Sequence, residues 1–302
     1  MASLFERRLL TVIGKGGVGK STISAALALV AARRGKRVLV CELNTKERVS
    51  ALLGAPEVGA SIGPVAERID AVDIRPREAL REYALMVLRF RSIYDAVFEN
   101  RFVRHFLRAI PSLAELVMLG KVLYHVDEKG PDGRFRYDLV ILDSPATGHG
   151  LGMLRLPQVL TDTVPPGPLA DEAAKMRRLL TDDQRSAAVL VALPESMPVS
   201  ETVDLDRGLR ETVGMARAAL VLNGVVAPRF SAEERARLEQ AAGEERLARA
   251  VLSRERRAEL SSHYAERLAL EVRLPQLAVP FLFSEQFGRA ALERVADALE
   301  AA

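Results

Sequence analysis

The glycine-rich run Gly14-Lys15-Gly16-Gly17-Val18-Gly19-Lys20-Ser21-Thr22 constrains this chain more than any other segment. It matches the pattern G-x-x-x-x-G-K-[ST]. A short β-prone run, Arg8 to Ile13, leads into it, and Ile23 to Arg34, rich in Ala and Leu, follows as a predicted helix. Gly35 sits where a helix-stopping glycine belongs, and Arg37 to Cys41 reads as a buried strand. Strand, glycine turn, helix and strand make a βαβ unit, which predicts a parallel sheet. Glycines let successive backbone N–H groups curl around phosphate oxygens, and the helix that starts there points its positive end at the same anion. In such a loop Lys20 reaches the β- and γ-phosphates, the Ser21 hydroxyl ligates Mg²⁺, and Thr22 touches the α-phosphate.

Further apolar, β-prone runs follow at Ala71 to Ile74, Leu139 to Leu142, Ala187 to Leu193, Ala219 to Leu222 and Leu277 to Val279. Near-continuous apolar strands suit a sheet covered on both faces. The expected architecture is α/β: one doubly wound, mostly parallel P-loop sheet over residues 1–302. Helical insertions are expected at about 78–126, 152–185 and 231–270. In the first, Leu80, Tyr83, Ala84, Val87 and Leu88 share a helical face, Phe102 and Phe106 form another apolar pair, and Pro111 breaks the pattern. Pro165, Pro166, Gly167 and Pro168 interrupt the second. The third opens with a capping box in which Ser231 is the cap and Glu234 reaches back.

Composition narrows the setting. Of 302 residues, 49% are hydrophobic and 27% charged, enough for a sizeable core and unlike a disordered chain. Lys and Arg number 43 against 40 Asp and Glu, and aromatics are 5% with no Trp, so neither charge nor stacking residues argue for nucleic acid. The single cysteine, Cys41, excludes an internal disulfide and an all-cysteine metal site. No secretion signal opens the chain and no apolar run is long enough to cross a bilayer, so a cytoplasmic location is expected.

Two longer segments carry a family resemblance. Tyr137 to Pro157 reads YDLVILDSPATGHGLGMLRLP. Its strand ends in Asp143, where a Walker B carboxylate holds the Mg²⁺ shell. The continuation resembles the Asp-Thr-Ala-Pro-Thr-Gly-His switch II signature of the arsenite-pump and tail-anchored-protein-targeting ATPases. Pro194 to Thr202 is similar to the Pro-Glu-x-x-x-Val-x-Glu-Thr stretch of the same family. The resemblance implies ATP/ADP and Mg²⁺ as ligands, Thr147, Gly148 and His149 as a moving switch, Asn223 as an adenine contact, and Pro280 and Phe281 in the adenine-flanking loop. No guanine-reading Asn/Thr-Lys-x-Asp motif follows the later strands. Lys15 makes the glycine loop resemble the deviant Walker A of the Min/Par class, whose early lysine reaches the partner subunit's nucleotide. That implies a homodimer, or a heterodimer with a related ATPase.

The chain also departs from the family. Aligned from Val38, the aspartate that orients or activates the attacking water falls on Asn44, which accepts a hydrogen bond but cannot take a proton. Hydrolysis is then slow, or Glu42 or Glu47 substitutes. The cysteines of the arsenite-binding members, and the Cys-x-x-Cys zinc pair of the eukaryotic-type targeting factors, are missing. Leu80, Leu85, Met86, Leu88, Phe98, Leu116, Met118 and Leu119 are candidates for an apolar client groove, with packing on the sheet as the blander alternative. Arg101, Arg104 and Arg108 fall near one helical face, which suits an acidic partner or a peripheral membrane contact, or simply solvent. His105, His125 and His263 have no metal-ligand spacing and read as ordinary residues. The expected function is an ATP-dependent dimeric switch acting on a protein client. The alternative is a nucleotide-binding scaffold subunit with weak hydrolysis.

Overall fold

A computed structural model describes residues 2–43, 47–88, 113–241, 246–284 and 286–301. Eight strands form one sheet: β1 (Leu9–Gly14), β2 (Val38–Leu43), β3 (Gly63–Ala66), β4 (Ile69–Ile74), β5 (Leu139–Asp143), β6 (Ser186–Ala192), β7 (Arg217–Val225) and β8 (Gln276–Pro280). Their order across the sheet is β3-β4-β2-β5-β1-β6-β7-β8, and every neighbouring pair is parallel except β3 with β4. β1 lies near the centre, so the glycine loop at its end opens at the middle of the sheet edge.

Each expected strand is present. The antiparallel edge strand β3 was not expected; Gly63-Pro64-Val65-Ala66 has only one buried residue, and its pairing with β4 rather than its own pattern makes it a strand. Central strands are buried throughout, which is why they lack a period-two pattern.

Helices cover both faces. On one lie α1 (Ala2–Phe5), α2 (Lys20–Arg33) and α3 (Val49–Leu53). From Ile23 to Ala31 every residue of α2 is buried between the sheet and the C-terminal helix. Its Ala-rich composition gives it high helix propensity and lets it lie close to its neighbours. Gly35 follows α2 and donates its N–H to the Ala32 carbonyl at 2.8 Å, as the stop signal predicts. The other face carries α4 (Pro76–Leu88), α5 (Leu113–Asp127), α6 (Thr147–Thr163), α7 (Pro168–Thr181), α8 (Ser196–Gly208), and, after α9 (Ala232–Ala241), the long α10 (Arg246–Glu271). The last helix is α11 (Arg289–Ala301), back against α2. Each fully buried leucine in these layers stabilises the fold by about 1.5–3 kcal/mol.

The proline cluster separates α6 from α7, with Gly167 at the cap of α7. The capping box forms as drawn: Ser231 N donates to Glu234 at 2.7 Å, and Glu234 N to Ser231 Oγ at 3.2 Å. Leu116, Met118 and Leu119 are buried against the sheet, with Leu80 packed on the same cluster, so these four leave the candidate client groove. Their helical periodicity records core packing. The side chains of Leu85, Met86, Leu88 and Phe98 lie outside the described residues, as do Arg101, Phe102, Arg104, His105, Phe106 and Arg108. His125 is buried and bonded to Glu128, and His263 is exposed. Cys41 is a buried free thiol, as its strand position predicts. Among the described residues no helix is long and apolar enough to cross a membrane.

Candidate functional site

The parallel strands end together at one edge of the sheet, and the glycine loop sits there between β1 and α2. The backbone at Gly19 has φ +92°, and a Cβ there would stand 2.3 Å from the Asn223 amide nitrogen, so only glycine fits. Gly14 is equally confined, because its Cβ would meet the Val191 carbonyl at 2.2 Å. Gly16 and Gly17 are exposed on the outside of the loop, and Val18 is buried beneath it.

Lys20, the first residue of α2, folds back over its own loop. Its Nζ donates to the carbonyls of Gly14 at 3.1 Å and Lys15 at 2.9 Å. Burial lowers its pKa, with Arg48 adding to that effect and Asp143 opposing it. Ser21 Oγ donates to Asp143 Oδ2 at 2.6 Å, and Ser24 Oγ to Oδ1 at 3.1 Å. Burial pushes the Asp143 carboxyl above its ordinary value, while those hydroxyls, Lys20 and Arg48 pull it down. A hydroxyl and a carboxylate, both hard oxygens, thus meet beside the lysine. This donor set fits Mg²⁺, which binds through one or two carboxylates and leaves its other positions to phosphate and water. Thr22 lines the same cleft, of about 520 Å³, as do Arg48 and Phe287.

Asn223, near the end of β7, donates its side-chain N–H to the Val18 carbonyl at 2.9 Å. It therefore braces the loop. Pro280 ends β8, and Phe281 follows it, exposed, with its ring 4.8 Å from Phe283 in an edge-on contact. These residues stand at the same sheet edge as the loop, because Phe281 N donates to the Val225 carbonyl at 2.9 Å.

Thr147, Gly148 and His149, the expected switch residues, form the first turn of α6, with His149 exposed. Thr147 Oγ1 reaches Glu201 Oε2 at 3.4 Å, and Lys15 Nζ reaches Glu201 Oε1 at 2.9 Å. One carboxylate on α8 thus ties the glycine loop to the first turn of α6. Sequence reading quoted Glu201 only as part of a stretch and missed this role.

Asn44 lies outside the described residues. Its two proposed substitutes are placed. Glu47 is buried and engaged by Ser50 Oγ and by the N–H groups of Val58 at 2.8 Å and Gly59 at 2.9 Å. Burial raises its carboxyl, but those donors outweigh it and hold the pKa below the ordinary value. It braces a loop. Glu42, fully buried at the end of β2, stands in register between Asp73 on β4 and Asp143 on β5. It accepts from Arg48 N at 2.8 Å and Val49 N at 3.2 Å, and burial pushes its pKa up to about 7.

A phosphate-cradling glycine loop between strand and helix, with lysine, serine and a strand-end carboxylate converging on it, defines a P-loop NTPase. The match to the anion-transporting ATPase family model over residues 7–165 takes this further, and the chain belongs to that family. It is 30% identical over 202 residues to the ATPase BagA of Mycobacterium tuberculosis, covering 65% of this chain and 59% of that protein. It is 29% identical over 237 residues to the arsenical pump-driving ATPase of Acidiphilium multivorum, covering 73% of this chain and 40% of that one. The chain therefore spans about three-fifths or less of the length of these curated relatives.

Proposed function

We propose that the chain binds and hydrolyses Mg-ATP as a dimeric switch whose nucleotide state controls a protein client. The observation that carries this is the convergence of Lys20, Ser21 and Asp143 on one glycine loop. Mg²⁺, when held by Ser21 and Asp143, supplies charge neutralisation for the β- and γ-phosphates. The chain's own part is to grip and orient. Loop N–H groups hold the phosphates, and Lys20 exchanges its own loop carbonyls for phosphate oxygens. Asn223 then accepts through Oδ1 from the adenine amino group, beside Pro280 and Phe281.

Lys15 gives the dimeric reading its content. Its partner in the single chain is Glu201, and the pair is partly exposed. A lysine that acts on the nucleotide of a second subunit must leave Glu201, and Glu201 also touches Thr147 of the switch turn. Closing the dimer therefore releases the switch helix from the loop, which is a route from nucleotide to client.

Steady-state Mg-ATP turnover by wild type and Lys20→Ala, with molecular mass measured with and without ATP for Lys15→Ala, tests the proposal. Turnover lost in Lys20→Ala and an ATP-dependent doubling of mass lost in Lys15→Ala are expected. A second reading rests on Asn44, which has no proton-accepting group: a nucleotide-held scaffold paired with a related active ATPase. Tight ATP binding without turnover, with activity appearing in Asn44→Asp, selects it.

A further inference from the structure

A second cation lines the cleft besides Lys20. Arg48 immediately precedes α3, is exposed, and lines the same space as Gly17, Lys20, Ser21 and Thr22. Lys20 and Ser21, the latter bonded to Asp143, line the cleft with it, and its charge acts on both Lys20 and Asp143. Among the described residues it forms no ion pair. Arg37 and Arg217, by contrast, are paired with Asp138 and Asp206.

The backbone beneath Arg48 is fixed. Glu42 grips the N–H groups of Arg48 and Val49, and Glu42 itself lies in register beside Asp143 on the neighbouring strand. The arginine is thus anchored to the strand next to the one that carries the Mg²⁺ carboxylate, with its side chain left to the cleft. That placement leaves a fixed positive charge beside the glycine loop.

Resting on the ATPase reading above, we propose that Arg48 is a catalytic residue of ATP hydrolysis that contacts the terminal phosphate within its own chain. In the step, the water oxygen bonds to the γ-phosphorus as the bond from that phosphorus to the bridging oxygen breaks. ADP leaves with the bridging oxygen, and the water's proton ends on a phosphate oxygen. Little proton transfer is needed early, because the transition state is loose and its charge spreads over the equatorial oxygens. A planar, always-charged guanidinium binds two such oxygens at once. Arg48 therefore supplies by electrostatics what Asn44 cannot supply as a base, and Glu42 is its positioning residue.

Turnover and nucleotide affinity of Arg48→Ala and Arg48→Lys, with Mg-ADP and with Mg-ADP-aluminium fluoride as the transition-state mimic, test this. Arg48→Ala is expected to lower kcat by about 10²–10³-fold and to weaken the fluoride complex by a similar factor. ADP affinity should stay within about threefold, and Arg48→Lys should recover part of kcat, because a cation in the same place retains part of the charge stabilisation. An unchanged kcat in Arg48→Ala, or equal weakening of both nucleotide complexes, overturns the role of Arg48 while leaving the ATPase reading intact. No turnover by wild type overturns both. Unchanged thermal melting of both variants, expected for an exposed side chain, separates these outcomes from misfolding.

Discussion

The two ends of the sheet use the same residue types in opposite ways. At the strand starts, charged groups bond mostly to one another and to the backbone, although the buried Nε of Arg8 has no hydrogen-bond partner among the described residues. Arg8 donates to the carbonyls of Tyr137 at 2.7 Å, Asp138 at 3.2 Å and Val126, and Phe135 stacks on its guanidinium. Arg37 pairs with Asp138, Arg185 with Asp127, and Tyr137 Oη donates to Asp70 at 2.8 Å. At the strand ends, Lys20 rests on two carbonyls of a loop that a phosphate can replace, Lys15 rests on one partly exposed carboxylate, and Arg48 has no ion pair among the described residues. Partnering, not residue type, separates a brace from a site. A cation whose acceptors are all internal is structural, and a cation held by replaceable acceptors beside a cleft is available to a ligand.

Exchanging the roles experimentally tests this contrast. The largest effect is expected for Lys20→Ala, which should reduce Mg-ATP turnover by at least about 10²-fold while melting temperature stays near wild type. Arg8→Ala should do the reverse: ATP affinity unchanged, but stability lower by about 2–4 kcal/mol in chemical denaturation, because buried carbonyls lose their donor. Similar nucleotide affinity losses in both variants would erase the distinction between the two ends.

Two groups give opposite pH effects: His125 at the α5 end, and Glu42 at the cleft, whose raised carboxyl favours the folded state as pH falls below about 7. Burial holds the His125 imidazole below its ordinary pKa of 6.5, while Glu128, 2.7 Å away, pulls upward and Lys121 and Arg136 add to the lowering. At His125 the unfolded chain therefore binds a proton that the folded chain resists, so the His125 contribution to stability falls as pH drops through about 6.5. His125→Gln should remove that contribution from the stability profile, measured by denaturation between neutral and mildly acid pH. The smallest effect on stability is expected from Glu201→Gln, below about 1 kcal/mol for a partly exposed pair. It should nonetheless lower the ATP concentration at which molecular mass doubles, because Lys15 is released. No change in that midpoint would remove Glu201 from the switch.

Much of this was legible along the chain. Gly14 to Thr22 carries its own geometry, because phosphate-loop chemistry is local: the glycines, the lysine and the serine lie within one turn. Central strands β1, β2 and β5 were readable from continuous apolar runs, since burial on both faces leaves a compositional trace. β3 was not readable, because an edge strand with one buried residue owes its form to a neighbour. Leu116, Met118 and Leu119 show the ambiguity of an apolar helical face, which looks the same whether it meets the sheet or a client.

The sequence by itself determined the phosphate loop, the parallel α/β class and the family, because each depends on residues close together or on the apolar content of short segments. Only the tertiary structure decided which charges are spent and which are free. Glu201 lies far along the chain from Lys15, yet it is the lysine's partner. Glu42 and Glu47, equal candidates in the sequence, became an anchor for Arg48 and a loop brace. The physical reason is that a charge's role is set by the acceptors and solvent around it, and those arrive from strands and helices distant in sequence.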